Sequence, residues 1–294
     1  MDTPKEVRKK MTQITVVTTF HQAGLEQYAQ RFIDSFAENV DRKIQMLCYA
    51  EDCNPIIDPM CENIKVLDAR QTLPKLNAFK DRWGNEPKAN GIPPDYIKRK
   101  RPRDWHKEFK WDAVRFSNKV YAVFDACQRS QGWCVWMDAD TLVHSKINYN
   151  QFLDLLPNDR WLTYVGRGQG SQTWPECGFY GMNLNHPVCH SFLEDFEKMY
   201  EDAENGIFTL EEWHDSFVFG ELLNVKFADF KDRTLDYSEN IYNKTAKTGG
   251  GGHPYINSVL GNYFDHMKGS RKEKGSSLQK DLMKPRPEKY WNEI

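Results

Sequence analysis

The stretch Cys134-Val135-Trp136-Met137-Asp138-Ala139-Asp140-Thr141 decides how this chain is read. Four apolar residues run straight into two carboxylates placed one residue apart. An apolar run without alternation is the pattern of a central strand buried on both faces. Side chains alternate along extended backbone, so Asp138 and Asp140 leave the strand end on the same side. Two carboxylates converging there repel each other unless a cation lies between them. Mg²⁺ is held by one or two carboxylates plus the oxygens of a bound phosphate. Ligands of open α/β sheets bind beyond the carboxyl ends of the strands. The motif therefore points to a metal–phosphate site.

The neighbouring sequence supplies the sheet and helices around that strand. Residues 109–131 take a helical period, with Ala113, Phe116, Val120, Val123, Phe124 and Cys127 as the core stripe. Asp112, Arg115 and Lys119 form a charged stripe beside it. Further upstream, a β-branched strand at 14–18, a helix at 25–38 and a strand at 44–49 make a β-α-β opening. Leu25, Tyr28, Phe32 and Phe36 share the apolar stripe of that helix. A short third strand is expected at 64–67, and 70–105, rich in Pro, Lys and Arg, as loop with short helices. Downstream, 161–165 and 178–183 pattern as strands, and Asn185 as the cap of a helix stopping at Asn205-Gly206. Thr209 and Glu212 have capping-box spacing for a helix carrying Trp213, His214, Asp215 and Phe217. Gly249 to Gly252 is expected as a mobile loop, and a basic tail follows Phe264.

Composition bounds the class. With 294 residues, 39% of them hydrophobic, the chain is long enough for one large α/β domain. A net charge of −2 excludes a polycation, so any nucleic-acid contact must come from a local patch. No apolar run approaches the roughly 18–20 residues of a membrane span, and Met1 to Lys10 lacks a signal-peptide core. Seven cysteines at irregular spacing are the pattern of free thiols in a reducing compartment. A soluble cytoplasmic protein is expected, in which the glycosylation pattern Asn243-Lys244-Thr245 has no meaning.

A second constellation lies at Asp265-His266-Met267-Lys268-Gly269-Ser270-Arg271-Lys272. Histidine is a common metal ligand, cations neutralise a diphosphate, and Gly269 lets backbone N–H groups approach phosphate oxygens. Together the two motifs resemble those of GT-A glycosyltransferases, in particular the retaining family of glycogenin and the bacterial lipopolysaccharide galactosyltransferases. That family pairs a mid-chain Asp-x-Asp with a C-terminal His-x-x-Gly-x-x-Lys, here His266, Gly269 and Lys272. The resemblance implies a single Rossmann-like, mixed but mainly parallel sheet flanked by helices. It implies that Asp138, Asp140 and His266 bind Mn²⁺ or Mg²⁺, and that Lys272, with Lys268 and Gly269, contacts the diphosphate of a nucleotide-sugar, by default a UDP-sugar. It also places the first strand end, Thr18, Thr19 and Phe20, against the nucleobase and ribose. The expected organisation is a polar tail at 1–12, the transferase domain at 13–265 and a basic segment at 266–294 completing the site.

Segments 112–122, 176–184 and 213–219 are similar to those of uncharacterised phage and bacterial glycosyltransferase-like proteins. The transferred group is then a hexosyl or pentosyl unit, and the acceptor is a glycan, a protein or, since phage genomes carry glycosylated bases, DNA.

Arg115 and Lys119, one helical turn apart, are candidates for stabilising charge on the leaving diphosphate; the alternative is a solvated stripe. Asp215, an acid on an apolar segment, is a candidate sugar ligand or acceptor base, against a structural ion pair. Glu176 is a weaker candidate, with the structural reading favoured. The basic run 98–107, with Trp105 inside it, has the composition of a nucleic-acid contact or a solvated loop.

Two other functions fit part of the pattern. Asp138-x-Asp140-x-Thr141 also resembles the nucleophile motif of haloacid-dehalogenase-type Mg²⁺ phosphatases, with Asp138 as nucleophile. There, however, the motif belongs to the first strand, near the N-terminus. A non-enzymatic nucleic-acid-binding protein would explain the basic clusters but not the buried strand ending in acids.

Overall fold

The computed structural model describes residues 11–168, 174–241 and 253–294. The glycine run 249–252 and Asn243-Lys244-Thr245 lie outside the described residues. Nine strands are described: β1 Ile14–His21, β2 Gln45–Glu51, β3 Ile64–Asp68, β4 Trp133–Met137, β5 Thr141–Val143, β6 Leu162–Val165, β7 Glu176–Asn183, β8 Thr234–Asp236 and β9 Phe264–His266. Seven form one sheet in the order β3-β2-β1-β4-β7-β6-β8, and β5 pairs with β9 in a separate two-stranded sheet. Pairings β1–β2, β1–β4, β2–β3 and β6–β8 are parallel, whereas β4–β7 and β6–β7 are antiparallel. The expected α/β class, a mixed and mostly parallel sheet flanked by helices, is what forms.

The apolar run before Asp138 becomes β4, with all five residues buried, because both faces of the sheet are covered. Strand alternation sends Cys134 and Trp136 to one face, with Val120, Phe124, Phe192 and Phe219. Val135 and Met137 go to the other, with Phe32, Phe36, Phe152 and Phe264. Each large side chain buried this way contributes about 1.5–3 kcal/mol relative to exposure. Order reverses at β1, whose neighbours β2 and β4 lie on opposite sides. The crevice beyond the carboxyl ends of β1 and β4 is thus the switch point where such sheets take ligands.

Several local expectations are corrected. Residues 70–105 contain a ten-residue helix, Pro74–Trp83, which buries Leu76, Phe79 and Trp83. The helix after β7 is Pro187–Glu201, capped by His186 rather than Asn185 because proline occupies its first turn. The Thr209–Glu212 capping box does not form. Thr209 Oγ1 donates to the Gly206 carbonyl, while Glu212 is bonded to Lys110. His214 caps the helix Asp215–Glu221 instead.

Residues following 266, the basic tail, are packed, with Trp291, Asp281 and Arg286 buried. The seven cysteines are free thiols. Among the described residues no helix is long and apolar enough to cross a membrane.

Candidate metal–diphosphate site

Asp138 and Asp140 emerge from β4 into the turn before β5. The Asp138 N–H donates to the Gly178 carbonyl at 3.0 Å, which ties the turn to the neighbouring antiparallel strand. Because β5 pairs antiparallel with β9, Thr141 lies opposite His266, and the Met267 N–H donates to the Asp140 carbonyl at 2.9 Å. Cross-strand register thus carries a histidine 126 residues downstream of Asp140 (266 − 140 = 126) onto the two aspartates. His266 Nε2 is 3.3 Å from Asp138 Oδ2 and 3.1 Å from Asp140 Oδ1.

One ligand atom from each of the three residues lies within 4.8 Å of the others. Two carboxylates and one imidazole, with open positions left for water and phosphate oxygens, suit Mn²⁺ or Mg²⁺. One further observation fits such a role. A Cβ at Gly178 would overlap the His266 ring, so the glycine makes room for the imidazole.

Cations crowd the carboxylates. Lys272 Nζ lies 2.8 Å from Asp140 Oδ2 and 4.7 Å above the ring of Tyr28. Lys119 Nζ is 3.1 Å from Asp138 Oδ1 and 2.8 Å from Asp215 Oδ2, and it donates to the Cys177 carbonyl. The Lys119–Asp215 contact is an ion pair without a well-angled hydrogen bond. Burial opposes charge throughout, but the pairing outweighs it. Desolvation would raise Asp138, yet Lys119 and then His266 hold its carboxyl well below the usual range. Burial would lower Lys119, yet Asp138 and Asp215 hold its ammonium well above the ordinary lysine value. Desolvation of His266 is overcome by Asp140 and Asp138, which lift it to about 9 in the metal-free protein.

The other expected site residues are distributed around this cluster. Lys119 does not belong to a solvated stripe; its side chain is 11% exposed. Arg115 on the same helix is exposed. Lys268 is bonded to Glu176, not to the aspartates, and Arg167 Nη1 lies 3.3 Å from the same carboxylate. Desolvation would raise Glu176, but Lys268 and Arg167 hold it well below the usual carboxylate range. Gly269 has φ +57°, the left-handed region that favours glycine.

The β1–β4 register ends with Val17 against Trp136, so Thr18, Thr19 and Phe20 run alongside the turn that carries Asp138. Thr18 Oγ1 is buried and unpaired, Thr19 Oγ1 donates to the Tyr49 carbonyl, and Phe20 packs in the core. In the basic run, Lys98, Lys100 and Arg101 are paired with Asp95, Glu211 and Asp104.

Three participants were missed. Tyr28, on the apolar stripe of its helix, packs against the core. Residues Leu25–Ala29 wind as a π-helical turn, and the half-buried Tyr28 ring also lies beneath Lys272. By pattern Trp136 is a strand residue only, yet its indole Nε1 donates to Asp138 Oδ1 at 2.7 Å. His253 Nε2 donates to the His266 carbonyl at 2.7 Å; burial, then Lys268 and His266, push its ring down to about 3 and keep it neutral. No sequence signal marked the pairing of His253. A cavity of about 440 Å³ lies elsewhere, lined by Phe124, Cys127, Ser130, Leu184 and His190.

No family model matches the sequence, and no curated protein matches it. Among solved structures, the chain is similar to mouse xyloside xylosyltransferase 1 in its apo form, at 9% identity and a TM-score of 0.43. That match covers 76% of this chain and 84% of the other. It is also similar to the bifunctional glycosyltransferase WbbM, at 12% identity, TM-score 0.40, over 76% of this chain and 38% of that one. The glycosyltransferase GlyE of Streptococcus pneumoniae TIGR4 matches at 10% identity, TM-score 0.40, over 77% of this chain and 45% of that one. The functional reading rests on the site itself.

Proposed function

We propose that this chain is a metal-dependent GT-A-type glycosyltransferase that moves a sugar from a nucleotide-sugar, a UDP-sugar by default, to an acceptor hydroxyl. The observation that carries the reading is the convergence of Asp138, Asp140 and His266, with Lys272 2.8 Å from Asp140. A divalent cation on those three ligands would neutralise the departing diphosphate as the anomeric C–O bond breaks. Lys272 and the exposed Arg115 add positive charge on the donor side. Lys119, buried between Asp138 and Asp215, orients the metal ligand, and Asp215 in turn fixes the lysine. The ends of β1 and β4 meet at the switch point of the sheet, which supports a nucleoside position beside Thr18, Thr19 and Phe20.

The phosphatase alternative is less well supported. Its nucleophile motif accounts for neither His266 nor Lys272, and the motif lies on the fourth strand here. The test is a thermal-shift screen. Mn²⁺ with UDP should raise the melting temperature, and Asp140→Asn should abolish the gain. No response to any nucleoside diphosphate, together with hydrolysis of a simple phosphomonoester, would favour the phosphatase. A donor panel of UDP-, GDP- and dTDP-sugars would then identify the nucleotide.

A further inference from the structure

Each aspartate of the cluster has one oxygen already engaged. Asp138 Oδ1 accepts from Trp136 Nε1 at 2.7 Å and from Lys119 Nζ at 3.1 Å. Asp140 Oδ2 faces Lys272 Nζ at 2.8 Å. The remaining oxygens, Asp138 Oδ2 and Asp140 Oδ1, are the ones that face His266 Nε2.

We infer that Trp136 and Lys119 are positioning residues that confine Asp138 to a single ligand oxygen, and so make the site select a small six-coordinate cation over Ca²⁺. The inference deepens the metal-site reading and rests on it. Ca²⁺ takes 6–8 oxygens in flexible geometry and commonly draws both oxygens of a carboxylate. Mg²⁺ demands a near-octahedral shell that single oxygens from separate side chains can supply. A bidentate Asp138 would have to shed two hydrogen bonds at Oδ1, leaving a buried indole N–H and a buried ammonium under-satisfied.

Neither donor has room to follow the carboxylate. Trp136 is 3% exposed, and its ring stacks on Tyr180. The Lys119 ammonium is also held by Asp215 and the Cys177 carbonyl, with the Trp136 ring 4.9 Å away. Lys272 is different. Its side chain is 24% exposed on the short helix Arg271–Lys274, so it is free to exchange Asp140 for a phosphate. The rigid constraint therefore sits on Asp138.

The experiment titrates Mn²⁺ and Ca²⁺ separately into the full-length protein by calorimetry, comparing wild type with Trp136→Phe and Lys119→Met. Trp136→Phe keeps the ring in the core and removes only the indole donor, so it isolates the hydrogen bond from folding. Wild type should bind Mn²⁺ more tightly than Ca²⁺. Both variants should narrow that ratio severalfold, chiefly by gaining Ca²⁺ affinity. A loss of stability alone would weaken both ions together and leave the ratio unchanged. An unchanged ratio in a folded Trp136→Phe protein, or equal affinities in wild type, overturns the positioning role while leaving the metal site intact. Failure of wild type to bind either ion overturns the metal site itself.

Discussion

Gly178 lies so close beneath the His266 imidazole that a methyl group on its Cα would overlap the ring. A buried strand glycine marks a close approach of this kind. Gly178→Ala should therefore displace the histidine from the aspartates while leaving β4–β7 pairing intact. Metal affinity is expected to fall by roughly 10–100-fold, the usual cost of disturbing a ligand's support. Calorimetric titration with Mn²⁺ measures it, and unchanged affinity would show that the imidazole is not a ligand.

The last residues of the described chain hold the strand from which His266 projects. Fully buried Asp265 accepts from Tyr290 Oη at 2.7 Å, from the Ser277 N–H at 2.7 Å and from Ser277 Oγ at 2.5 Å. Tyr290→Phe removes one donor to a buried carboxylate, at a cost of about 1.5–3 kcal/mol. Truncation after Gly275 removes all of them, so the protein should lose its Mn²⁺–UDP thermal shift as well as stability. A truncated protein that retains the shift would show that β9 is held without this segment.

The central strand, the β-α-β opening and both halves of the Asp138, Asp140 and His266 cluster are legible because each rests on local pattern. Periodicity marks a strand, and adjacent acids mark its end. What escaped depends on partners distant in sequence. Lys119 stands out in sequence only as a candidate cation, with a solvated stripe as the alternative, because charge spacing along a helix says nothing of Asp138 or Asp215 opposite it. Thr209 and Glu212 had the spacing of a capping box, but Lys110 and Arg101 claimed the glutamate. Leu76, Phe79 and Trp83 do stand at helical spacing, yet only three apolar anchors appear among Lys75, Lys80, Asp81 and Arg82. Tyr28 keeps its place against the core, but its contact with Lys272 joins residues far apart in sequence.

Glu212 is fully buried and serves Lys110 at 2.9 Å, Arg101 at 2.5 Å and His214 Nε2 at 3.0 Å. These contacts join the segment before the Ala113–Arg129 helix to the cap of the Asp215–Glu221 helix. Glu212→Gln leaves the buried Lys110 ammonium with Asp104 alone. Because Asp104 still faces that ammonium, the loss is that of a hydrogen bond to a charged group, about 1.5–3 kcal/mol. The urea midpoint should fall accordingly, and a drop of under about 1 kcal/mol, the range of an exposed pair, would show that the network is solvated.

Acid should weaken the fold through His144 before the carboxylates titrate. Its ring stacks on Tyr290, centroids 4.3 Å apart and planes within 4°. Burial pushes the imidazole down to about 4; the Gly261 carbonyl and Glu288 pull the other way, and Arg286 adds to the push. An unfolded histidine titrates near 6.5, so between about 6.5 and 4 the unfolded chain binds the extra proton. The stability that neutral His144 contributes is complete above about pH 6.5, falls as pH drops toward 4, and changes no further below that. The whole gap corresponds to on the order of 3 kcal/mol, of which roughly 2 should be lost by pH 5. His144→Phe keeps an aromatic ring against Tyr290 but cannot take up a proton. Urea midpoints at pH 7 and pH 5 should therefore differ more in wild type than in His144→Phe, whatever other histidines contribute equally to both. An equal loss in the two proteins would place the acid sensitivity elsewhere.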